Sequence, residues 1–166
     1  MNRTSSTAIS RIAVAILAAL FFAAFPQMSY AQTDPLIGTW KVNVAKSTFS
    51  PGPALRSATA TVTASGQGSM AVLEGIDGAG KAIPRQVYTV IYDGQSHPVT
   101  GVPAYDANSI KRVDAYTFDY TRTKAGKVVQ TGRSVFSIDG KTATFMTTGV
   151  DANGQQISNV VVFEKQ

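Results

Sequence analysis

The sequence predicts an all-β protein, an antiparallel up-and-down meander of eight to ten short strands closing into a small barrel, with a two-sheet β-sandwich as the alternative. Three observations predict it. From residue 38 onward apolar residues recur with a period of two, the spacing of a half-buried strand, and no segment carries a helical period. Tight turns rich in glycine and aspartate separate these runs, which is the punctuation of consecutive hairpins. A meander of eight or more strands leaves two unpaired edges unless it closes on itself, and closure is the economical solution.

The chain opens on a segment that does not belong to the barrel. Residues 1–31 read as a cleaved signal peptide. Arg3 and Arg11 give a positive start without acidic residues, and 12–25 is an unbroken apolar run of fourteen. That run is shorter than the ~20 residues needed to cross a hydrocarbon core. Pro26 ends it, and Ser29-Tyr30-Ala31 offers small residues at the two positions a signal peptidase inspects. The rival reading is an uncleaved membrane anchor. Cleavage leaves residues 32–166 as a single domain, periplasmic or secreted, with no stable membrane insertion.

The first strand is 38–45, where Trp40, Val42 and Val44 alternate with Thr39, Lys41 and Asn43. Pro51, Gly52 and Pro53 then exclude regular structure. Residues 57–65 alternate threonine with alanine and valine, and 69–75 and 83–92 follow as strands, the latter apolar on both faces. The stretch 97–108 holds Pro98, Gly101 and Pro103 and reads as irregular, or as an edge. Strands resume at 109–115, 116–123, 127–138, 142–148 and 157–165. The turns at Asp77-Gly78, Asp139-Gly140 and Asp151-Ala152-Asn153-Gly154 share one chemistry, in which Asp caps the turn and Gly supplies positive φ.

Composition excludes several function classes. The chain has no cysteine, hence neither a disulfide framework nor a thiol nucleophile. Arg3 and Arg11 leave with the leader, so 13 basic residues face 10 acidic ones, scattered singly apart from the basic pair Lys111-Arg112. Such a balance lacks the clustered basic stripe of a nucleic-acid binder. His97 is the one histidine and has no partner at metal-binding spacing. It reads as a loop residue, and Asp77, Asp93, Asp139 and Asp151 read as turn formers. No catalytic residue, metal ligand or cofactor is expected. The most suggestive material is aromatic: Tyr116, Phe118 and Tyr120 share one face, with Arg122 at its end. Inside a barrel this stripe is either the wall of a site for an apolar ligand with a polar head or plain core filling. Tyr88 and Tyr92 are candidates for the same wall.

Gly38-Thr39-Trp40-Lys41 resembles the Gly-x-Trp signature that opens the barrel of lipocalins and fatty-acid-binding proteins, the calycin group, and Val160-Val161-Val162-Phe163-Glu164-Lys165 resembles its last strand. With Phe49-Ser50-Pro51-Gly52-Pro53, Pro98-Val99-Thr100-Gly101 and Asp139-Gly140-Lys141-Thr142, the whole chain resembles exported bacterial lipocalin-like proteins. The resemblance implies that Trp40 plugs the closed end of the barrel and that Lys165 covers it. The sequence departs from fatty-acid-binding proteins in two ways. Residues 46–56 are too short and proline-rich for two lid helices, and Val161 and Phe163 stand where an Arg and a Tyr would hold a carboxylate. The resemblance therefore implies the fold. With the signal peptide, the lack of catalytic residues and the aromatic stripe, the expectation is a non-enzymatic protein binding a small hydrophobic ligand, with Tyr116, Phe118, Tyr120 and Arg122 facing it. The alternative is a protein-interaction or envelope-structural barrel with a filled interior. A third reading is an enzyme using His97 with a nearby carboxylate.

Overall fold

The computed structural model describes residues 34–52 and 55–166. The expected signal peptide and its cleavage site lie outside the described residues. Ten strands run in chain order: β1 (Gly38–Val42), β2 (Ser57–Ser65), β3 (Gly68–Ile76), β4 (Gln86–Val90), β5 (Asp93–Thr100), β6 (Ala107–Arg112), β7 (Thr117–Lys124), β8 (Lys127–Phe136), β9 (Thr142–Val150) and β10 (Gln156–Lys165). Each pairs antiparallel with its chain neighbour, and β10 returns to pair with β1, which closes the barrel. The all-β meander expected from the hydrophobic period is thus borne out, in its closed form rather than as a sandwich.

The closing seam is short and reinforced. β1 and β10 align Trp40 with Lys165, Lys41 with Glu164 and Val42 with Phe163. Beyond β1 the chain stays on β10: Asn43 N donates to Val162 O (2.8 Å), and Thr48 and Val160 exchange two backbone bonds of 2.7 and 2.8 Å. Between these contacts lies a 3-10 turn, Val44–Lys46, whose start is capped by Asn43 Oδ1 accepting from Lys46 N. The expected strand 38–45 therefore stops at Val42, because beyond Asn43, whose N–H still pairs with β10, the chain turns under that residue's side-chain cap.

The strand boundaries correct the sequence reading at one place in particular. Residues 97–108 are irregular only between β5 and β6; 97–100 belong to β5 and 107–108 to β6. Pro98 is tolerated there for a geometric reason. Val99 N donates to Asp106 O on the β6 side (2.8 Å), so the nitrogen of Pro98 faces β4. The β4–β5 ladder consists of two register pairs, Val87 with Thr100 and Tyr88 with Val99, so no bond is lost at Pro98. Correspondingly, the strand expected over 83–92 shortens to β4. The three aspartate turns hold as expected: Asp77, Asp139 and Asp151 each accept a backbone N–H from the far side of their own turn through Oδ1, at 2.8–3.0 Å.

One end of the barrel is filled. Trp40 is 2% exposed, and its ring meets Phe136 edge-on (centroids 5.8 Å apart). Phe136 in turn packs edge-on against Phe118 and Phe145, and Phe145 against Phe163. These rings bury apolar area and gain edge-to-face attraction together. Trp40 Nε1 donates to Leu36 O (2.7 Å), so its polar edge is satisfied. Lys165 Nζ stands 5.1 Å above the indole ring, a cation–π contact. The segment before β1 straps this end: Asp34 accepts from Tyr92 Oη (2.7 Å), Ser69 Oγ (2.9 Å) and Leu36 N (3.0 Å).

Gly38 is what admits Lys165 to its place. A Cβ at Gly38 would stand 2.6 Å from Lys165 Cε, and the residue's φ of +134° is one that L side chains rarely adopt. Gly38→Ala should therefore destabilise the protein by ~1–3 kcal/mol, lowering the urea midpoint with an unchanged m-value and shifting Trp40 emission to the red. An unaltered midpoint would show that the seam does not depend on this glycine.

Candidate functional site

Above the aromatic floor the interior is hollow. A cavity of about 430 Å³ extends from Trp40 and Leu36 toward the opposite end of the barrel. Its lower walls are apolar, with Val62, Leu73, Val90 and Phe163 among them. At the far end stand Phe49 and Leu55, from the segment joining β1 to β2, together with Ile83 and Ile157. Most of the polar lining gathers on β4 and β6–β9 (Gln86, Tyr88, Asn108, Tyr120, Arg122, Gln130 and Thr147), joined by Tyr105 from the β5–β6 connection and by Asn159 on β10.

The register explains this gathering. Asn108, Arg122 and Gln130 are successive cross-strand neighbours on β6, β7 and β8, so their side chains share the inner face. Gln130 Nε2 donates to Val150 O (2.8 Å), which turns Oε1 toward Arg122; Arg122 Nη1 donates to it at 3.0 Å. The guanidinium lies between two phenol rings, 4.6 Å from the centroid of Tyr105 and 4.7 Å from that of Tyr120. Tyr120 holds its position because Gly132, its register partner on β8, has no Cβ; one there would overlap Tyr120 Cζ and Oη. The Tyr120 hydroxyl reaches β9, donating to Met146 O (3.0 Å) and sharing a hydrogen bond with Thr147 Oγ1 (2.6 Å). Tyr88 Oη donates to Gln86 Oε1 (2.7 Å) and takes a second bond with Tyr105 Oη (2.8 Å).

The electrostatics of this wall are those of a half-buried cation flanked by phenol rings. Burial works against the charge of Arg122, yet coupling to Tyr105, Tyr120 and Tyr88 keeps its pKa above the ordinary arginine value. Tyr88 is pushed well above the usual phenol range by burial first and by Tyr105 second. Tyr120 is raised by burial despite the nearby Arg122 and its bond to Thr147. At neutral pH Tyr88 and Tyr120 are therefore uncharged, and neither supplies a counter-ion. Nε of Arg122 and Oδ1 of Asn108 are buried without a hydrogen-bond partner.

The four aromatic-stripe residues separate into two roles. Tyr120 and Arg122 line the cavity. Phe118 is 1% exposed and belongs to the floor, where it stacks against Tyr92 (4.6 Å) and Phe136. Tyr116 precedes β7 and packs half-buried against that floor. Of the two outlying tyrosines, Tyr88 lines the cavity, whereas Tyr92 bonds Asp34 at the strapped end. His97 is hydrogen-bonded to Asp93 (3.0 Å) and does not line the cavity. Sequence reasoning missed Tyr105, Asn108 and Gln130. Gln130 had a signal: it shares parity with Ser134 and Phe136 along β8, and all three are buried. Tyr105 had none, since its loop carries no periodicity.

The raised phenols set an alkaline limit on stability. Tyr92 is also raised, by burial and then by its bond to the Asp34 carboxylate. The folded protein thus retains these protons at a pH where the unfolded chain loses them, near 10. Their contribution is complete below pH ~10 and is lost as pH rises beyond it. The urea midpoint should hold steady from about pH 7 to 9 and fall above ~10, with phenolate absorbance from Tyr88, Tyr92 and Tyr120 appearing only as the fold is lost. Titration of all tyrosines below pH ~10.5 in folded protein would contradict the buried placement.

No family model matches the chain, and no curated protein matches it significantly in sequence.

Proposed function

We propose that this is an exported, non-enzymatic lipocalin-like protein that binds one small, hydrophobic molecule inside its barrel. The observation that supports this reading is the cavity itself, whose volume of about 430 Å³ lies in the range of small-molecule pockets, ~300–1,000 Å³. A tightly packed interior leaves few voids larger than a water molecule. Mostly apolar walls with a few converged polar groups are the usual composition of such a site. The rival account, an interaction or envelope module with a filled interior, fits the floor of the barrel but not the space above it. The lipocalin-like assignment draws on the ten-stranded closed meander and on Trp40 at its floor beneath Lys165.

Trp40, the one tryptophan, lines the cavity and reports on it. The neutral probe N-phenyl-1-naphthylamine should bind the protein with a rise in its own fluorescence and energy transfer from Trp40. Ala71 also lines the cavity, and Ala71→Phe should fill the space and weaken probe binding by about tenfold or more. Equal probe binding by the wild type and Ala71→Phe would place the probe elsewhere and defeat this proposal.

A further inference from the structure

We infer that the molecule held in this cavity carries a single carboxylate, with Arg122 as its counter-ion. The inference rests on the carrier reading above and specifies the chemical class of the ligand.

Arg122 has no anionic partner. None of the chain's ten acidic side chains, all of which lie among the described residues, forms an ion pair with it. Among the described residues its one side-chain hydrogen bond runs from Nη1 to the neutral amide of Gln130. A guanidinium offers five N–H donors, so most of its capacity is uncommitted. Arg122 is half-buried with its Nε fully so, a partly desolvated unpaired charge is costly, and the flanking faces of Tyr105 and Tyr120 offset that cost only in part.

The hydroxyls of the wall have committed their protons, while Gln130 retains one amide proton and Asn108 Oδ1 stands unpartnered. Tyr88 Oη donates to Gln86, which leaves Tyr105 as the donor in the Tyr88–Tyr105 bond. Tyr120 Oη donates to Met146 O. Gln130 Nε2 donates to Val150 O. What the wall still offers to a ligand is chiefly one positive charge with unfilled donors. Its complement is a singly charged group that only accepts hydrogen bonds, which describes a carboxylate. A phosphate monoester, at about −1.5 to −2, would bring excess negative charge into a cavity with one cation. The apolar lower walls then receive the rest of the molecule. The cation sits on β7, whereas β10 presents the uncharged Asn159, Val161 and Phe163 to the cavity, so the head group is held on the side wall formed by β6–β8.

The test is displacement of N-phenyl-1-naphthylamine by three eight-carbon competitors of different charge: octanoate, octan-1-ol and octyltrimethylammonium, at pH 7. Octanoate should displace the probe at a concentration at least about tenfold lower than octan-1-ol, or ~1.4 kcal/mol, and octyltrimethylammonium should be the poorest competitor. The preference for octanoate should vanish in Arg122→Met and survive in part in Arg122→Lys. Equal displacement by octanoate and octan-1-ol, or preference for the cation, would overturn the carboxylate while leaving the carrier reading intact. The wild-type series decides this even where Arg122→Met does not fold. Failure of the probe to bind at all would remove the carrier reading and the carboxylate with it.

Discussion

The antiparallel seam between β1 and β10 is the contact on which the rest of the molecule depends. Residues 40 and 165 lie at opposite ends of the described chain, yet they are register partners, and their pairing turns an open meander with two exposed edges into a barrel without any. β1 is only five residues long. It holds because both its edges are paired, because residues 43–50 continue the contact with β10, and because Trp40 anchors its inner face in the aromatic floor. A contact of such sequence separation forms late and carries a large loop-closure cost. Burial of the floor is what offsets that cost, and Gly38 permits the lysine stem to lie across it.

Closure also creates the interior and divides it. At the Trp40 end, phenylalanines from β7, β8, β9 and β10 interlock and form the floor on which the cavity rests. Farther along the same strands the inward positions are Tyr120, Arg122, Gln130 and Thr147, with alanines opposite at positions 60 and 71. Small side chains on β2 and β3 and tyrosines braced by hydrogen bonds on β7 leave a hollow, since the braced rings cannot collapse across it. The two interpretations of the aromatic stripe, ligand wall and core filling, thus describe its two halves: Phe118 fills, and Tyr120 lines.

Much of the fold was legible because strand alternation and turn chemistry are local. Trp40 and Val42 are both buried as their spacing predicts, and Asp139-Gly140 is a turn for the reason its residue types suggest. Pro98 misled because a proline in a strand is judged by which neighbour its nitrogen faces, and that neighbour is known only once the sheet is assembled. The candidate site was half legible. Tyr120 and Arg122 stood out on one alternating strand, whereas Tyr105 comes from a loop and Asn108 is made a neighbour of Arg122 only by register.

The sequence by itself therefore determined the class of the fold, its turns and which face of each well-patterned strand is buried, because these follow from a period of two and from the φ preferences of glycine, asparagine and aspartate. The tertiary structure decided between the expected closed barrel and the sandwich; it also decided where the filled floor ends and the cavity begins, and that Arg122 meets three tyrosines and no carboxylate. These are long-range matters of register, fixed by how ten strands are staggered around a ring, and no local pattern in the chain encodes them.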